Sequence, residues 1–89
     1  MNIMETKQEL PKWFKGVVYD EGAEVRNPYS GESIYLNNIE LSMYDLTMGA
    51  STVYEMLNGN CKPQIVKDLR RGLDWFRKYN AKAYMVLLD

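Results

Sequence analysis

Residues 38–58 constrain this chain more than any other stretch. Ile39, Met43, Leu46, Ala50, Val53 and Leu57 recur at alternating spacings of four and three, which lines apolar or small side chains along one side of an α-helix. Leu41, Tyr44 and Met48 form a second stripe, continued toward the C-terminal end by Tyr54 and Met56. A helix apolar over so much of its girth is covered on more than one side. The spacing therefore predicts a central helix wrapped by the other elements, or one with a face covered by a partner chain. Self-association is expected on Leu41, Tyr44 and Met48.

The ends of this helix are written locally. Asn37 is the better of two candidate N-caps, and Glu40 three residues on completes a capping box. Asn58-Gly59-Asn60 closes it, with Gly59 suited to the left-handed residue beyond the C-cap. Gly49 in its middle marks a position where a neighbouring backbone could approach closely. Pro63 fits the first turn of a second helix, where its missing N–H has no intrahelical partner to lose. Val66, Leu69, Leu73 and Phe76 form the core stripe of that helix, with Ile65 and Tyr79 beside it. Asn80 can end it in a left-handed conformation.

Upstream the pattern changes. Leu10-Pro11-Lys12-Trp13-Phe14 lays a large apolar lid over one end of the core, preceded by an N-terminal arm, residues 1–9, with no consistent period. Gly16-Val17-Val18-Tyr19 and Ala23-Glu24-Val25-Arg26 read as strands joined by Asp20-Glu21-Gly22, whose glycine tolerates positive φ. Asn27-Pro28-Tyr29-Ser30-Gly31 is a turn, and Ser33-Ile34-Tyr35-Leu36 a third strand. The closing apolar run, Ala83-Tyr84-Met85-Val86-Leu87-Leu88, reads as a buried strand joining this meander. The expected fold is α+β: an antiparallel sheet of an N-terminal three-stranded meander plus a C-terminal strand, packed on two helices. The order is β-β-β-α-α-β, in one domain over residues 10–89.

Composition narrows the chemistry. The chain has no histidine and a single cysteine, Cys61. The commonest general base, the triads built on it and most zinc sites are absent with histidine. No phosphate-cradling glycine motif is present. Asp20, Glu21 and Glu24 gather at a turn, where acids serve solubility more often than cation binding. Glu40 and Asp45, five apart on one helix, do not project together for acid–base work. Cys61 beside Lys62 reads as an incidental thiol rather than a reactive one. The residues therefore point to a non-enzymatic protein with no metal and no cofactor. No apolar run reaches the ~18 residues of a membrane span or resembles a secretory signal, so a soluble, unsecreted protein with no membrane partner is expected.

Charge is uneven along the chain. The formal net charge is −1, but residues 1–59 carry four basic and nine acidic side chains, and residues 60–89 seven basic and three acidic. Such a bipolar chain can pair with a second copy of itself, or offer one basic face to an anion. Residues 67–82 interleave Lys67, Arg70, Arg71, Arg77, Lys78 and Lys82 with Trp75, Phe76 and Tyr79. Cations on phosphates and aromatic faces on unpaired bases suit single-stranded nucleic acid. The residues that would bind it are Lys67, Arg70, Arg71, Trp75, Arg77, Lys78 and Lys82. The competing reading is a solvated basic helix face, with Phe76 assigned to the core by its spacing.

Several stretches taken together resemble a known group. They are Leu10-Pro11-Lys12-Trp13-Phe14, Asn27-Pro28-Tyr29-Ser30-Gly31-Glu32, Glu40-Leu41-Ser42-Met43-Tyr44-Asp45, Gly72-Leu73-Asp74-Trp75-Phe76-Arg77-Lys78 and the closing Ala83-Tyr84-Met85-Val86-Leu87-Leu88-Asp89. From about residue 10 onward the chain resembles short uncharacterised proteins of tailed phages infecting marine bacteria, cyanophages among them. The resemblance implies a viral origin and a place in the host cytoplasm or the virion. It brings no activity and no catalytic residue with it. A phage accessory or interaction protein is the expectation it supports.

Overall fold

The computed structural model describes residues 8–89. Its longest element, α1 (Asn38–Met56), begins where the sequence places it. The Asn37 side chain accepts from the Glu40 N–H at 2.8 Å, and the Glu40 carboxylate accepts from the Asn37 N–H at 2.9 Å. Both bonds satisfy amides that a helix start leaves without partners. The helix ends through Asn58 and Gly59, at φ 52° and 81°, with the Gly59 N–H donating to the Tyr54 carbonyl at 2.9 Å. After a short loop, α2 (Pro63–Tyr79) starts on its proline and packs along α1.

Gly72 is a point of close approach between the two helices. A Cβ there would run into the side chain of Thr47, overlapping Oγ1 and lying 3.0 Å from Thr47 Cβ. Gly49, the expected point of close approach, faces open space. The reason is rotational: Thr47 lies on the buried side of α1, whereas Gly49 is exposed.

The sheet is smaller than expected. It has two antiparallel strands, β1 (Ala23–Arg26) and β2 (Ser33–Leu36), with Val25 opposite Ile34 and Ala23 opposite Leu36. Their turn is the one the sequence writes. The Asn27 side chain accepts from the Tyr29 N–H at 2.8 Å, and Gly31 takes φ 81°. Leu36 is fully buried and carries the hairpin into the core. Residues 16–19, expected as a strand, are irregular chain. Val17 and Val18 are 61% and 62% exposed, and the Tyr19 N–H donates to the hydroxyl of Ser42 on α1 at 2.9 Å. With that amide bonded to a helix side chain and no neighbouring strand among the described residues, β-branched composition alone makes no ladder. Gly22 accordingly adopts no positive φ; it serves close packing against the end of β2 and the start of α1.

The C-terminal run is also corrected. It is helical, α3 (Ala81–Ala83) continuing into one π-helical turn over Tyr84–Leu88, with the Asp89 N–H donating to the Tyr84 carbonyl at 2.7 Å. Asn80 breaks the chain between α2 and α3 at φ −155°, extended rather than left-handed, and its side chain caps α3 by accepting from the Ala83 N–H at 3.1 Å. Ala83, Tyr84, Leu87 and Leu88 pack on the core while Met85 points out, the one-sided spacing of a helix rather than the alternation of a strand. The fold is therefore α+β in the order β-β-α-α-α.

Leu36, Met43, Trp75, Phe76 and Ala83 form the buried core, joined at one end by Leu10, Trp13 and Phe14 as the expected lid. Of the N-terminal arm, residues 1–7 lie outside the described residues. Gln8 and Glu9 are docked: the Gln8 amide donates to Glu40 at 2.7 Å, and the Glu9 carbonyl accepts from the Trp75 indole at 3.3 Å.

Candidate functional site: a basic helix face and a cleft

The seven candidates for nucleic-acid contact are not equivalent in space. Trp75 is only 6% exposed, set edge-on against Phe76 with ring centroids 5.1 Å apart, and tilted over Tyr79. With its faces packed and its N–H bonded, it has no surface on which a base could stack. Arg71 is turned inward. Its guanidinium lies 4.3 Å from the centre of the Trp13 ring and 3.2 Å from the Asp68 carboxylate. Arg77 bonds Asp74 at 2.7 Å and the Tyr84 hydroxyl at 2.9 Å. The Tyr84 hydrogen bond, aided by the charge of Asp74, holds the Arg77 pKa above its ordinary value. Lys78 sits over the edge of the core, 5.1 Å from the Tyr79 ring. Lys67, Arg70 and Lys82 are exposed and form no ion pair with another described residue. Of the exposed cations, Arg77 and Lys78 thus lie over the Tyr84 and Tyr79 rings, whereas Lys67, Arg70 and Lys82 lie over no described aromatic ring.

The expected self-association stripe divides in the same way. Leu41 and Tyr44 pack against the core, and burial pushes the Tyr44 hydroxyl pKa up. Met48 is the member left open, at 36% exposure. Tyr44 and Met48 also belong to one wall of a cleft of about 630 Å³ between α1, α2, the 27–31 turn and the C-terminal helical turn. Along α1 that wall continues at helical spacing through Ser51 and Glu55, with Tyr54 beside it. Leu69 and Leu73 of α2 and Leu87 and Leu88 of the C-terminal turn supply the apolar side. Shallower grooves lie elsewhere: about 510 Å³ around Lys15 and Leu46, about 350 Å³ at Arg70 and Arg77, and about 300 Å³ at Arg71 and Lys78.

One polar centre escapes sequence reasoning. The Glu40 side chain is 5% exposed and, beyond its capping bond, accepts from the Gln8 amide at 2.7 Å and the Asn80 amide at 2.8 Å. The Asn37 amide donates to Gln8 at 2.8 Å and closes the network. Glu40 thus ties residue 8, the start of α1 and the α2–α3 junction together through neutral donors. The capping box is readable in the sequence, but no local pattern links positions 8, 40 and 80.

These features define the class: a small α+β domain with a helical core, an open hairpin and a mixed apolar–polar cleft. Comparison with protein-family models, curated proteins and solved structures finds no match. Among the described residues no group of three or more cysteine or acidic side chains is placed to hold a metal ion. No helix among them is long and apolar enough to cross a membrane.

Proposed function

We propose that this is a non-enzymatic interaction protein that self-associates, with the phage accessory role and the host-cytoplasm or virion location that its resemblance implies. The observation that carries this reading is apolar exposure along the side of α1 that borders the cleft. Met48 and Met56, two helical turns apart with Thr52 between them, are 36% and 75% exposed. A long helix that presents two methionines on one side suits a covering surface, since methionine adapts its shape to a partner. The opposite charge of the two halves of the chain supports a second copy as that partner. With Leu41 and Tyr44 taken up by the core, Met48 and Met56 are the positions to test.

Light scattering at low and high salt should give an oligomer for the native chain at both. The Met48→Glu/Met56→Glu variant should give a folded monomer. A native monomer at all accessible concentrations would remove this reading.

A second reading, single-stranded nucleic acid on the basic face, rests on the exposure of Lys67, Arg70, Lys78 and Lys82. Oligonucleotide binding that weakens steeply with salt and disappears in Arg70→Ala/Lys78→Ala would support it. Binding that survives the double substitution would count against it.

A further inference from the structure

We infer that the cleft between α1, α2 and the C-terminal helical turn is a binding site for a small organic cation bearing an apolar chain. Its volume of about 630 Å³ falls within the range of roughly 300–1,000 Å³ typical of small-molecule sites. Leu69, Leu73 and Leu87 give it an apolar wall on which a hydrocarbon chain would displace water. Tyr44 and Tyr54 add aromatic rings, whose faces attract ammonium groups. Among the described residues, the only charged ones lining it are Glu55 and Asp89, and neither forms an ion pair with another of them. The three shallower grooves each contain a lysine or an arginine. Leucines, tyrosine rings and two carboxylates together select a ligand that is apolar at one end and positively charged at the other. An anion of the same shape meets the carboxylates and is repelled.

Met48 and Thr52 line both this cleft and the face proposed for self-association, so the test is run at a concentration where light scattering reads a single mass. The native chain is titrated with octyltrimethylammonium, octanol and octanoate, each below its micelle concentration. Calorimetry gives the affinities, and amide shifts in two-dimensional NMR map the location. The ammonium should bind most tightly and octanoate most weakly, with a gap of about tenfold or more. The shifts should centre on Tyr44, Tyr54 and Leu73. Glu55→Gln, at an exposed position, should narrow the gap between ammonium and alcohol severalfold and leave octanol binding unchanged. Tyr54→Leu should weaken the ammonium more than the alcohol. Equal affinity for all three ligands, shifts centred outside the cleft, or no saturable binding of the ammonium would each overturn the inference.

Discussion

At the scale of single residues, the buried carboxylate of Glu40 does the most to hold separate segments together. Its donors among the described residues are a backbone amide and two side-chain amides, with no cation among them. Glu40→Gln puts an amide NH2 where an acceptor is needed and leaves a buried donor facing another donor. The expected loss is about 1–3 kcal/mol in urea unfolding; an unchanged midpoint would show that the network contributes nothing. Tyr44 makes a different point. Burial raises its hydroxyl pKa above the ordinary 10.0, so the folded state favours the neutral phenol. That contribution is complete below pH 10 and is lost as the pH rises through the raised value. Tyr44→Phe should therefore reduce the fall in stability seen on alkaline titration. A parallel fall in native and variant proteins would assign it to the other tyrosines.

At the scale of elements, Gly72 and Asn80 set how the helices meet. Alanine is the better helix former by about 1 kcal/mol, so propensity alone would have Gly72→Ala stabilise α2. The contact with Thr47 reverses this, and a net loss of roughly 1–3 kcal/mol is expected from overpacking. Thr47→Ala in the same chain removes Oγ1 and Cγ2 and should recover part of it, a coupling that a double-mutant cycle reads directly. A stabilised Gly72→Ala would mean the helices can move apart freely. Asn80 ends α2, caps α3 and donates to Glu40. Asn80→Ala should cost about 1–2 kcal/mol and speed amide exchange across residues 83–88. Exchange as slow as in the native chain would show that packing alone holds the last turn. Asn80 is legible in the sequence as a helix end and Gly72 carries no such mark, and the partners that give both their energetic weight are not legible there.

At the scale of the molecule, one core joins nearly every segment. Trp75 touches the N-terminal segment through Glu9, the rest of α2 through Phe76 and Tyr79, and the shared cluster of Leu36, Met43 and Ala83. Unfolding should therefore be one cooperative event, with tryptophan fluorescence and far-ultraviolet dichroism giving coincident transitions. Two separate midpoints would mean that the hairpin or the terminal helix unfolds independently. The chain by itself determined both long helices, their capping box, proline start and glycine stop, and the 27–31 turn, because each depends on neighbours a few residues apart. Tertiary structure alone decided that Val17 and Val18 find no strand partner and that the apolar tail coils rather than extends. It also decided that Trp75 and Arg71 face the core instead of a ligand. Those outcomes depend on which surfaces remain to be covered once α1 and α2 have packed, and that competition among distant segments leaves no periodic trace in the sequence.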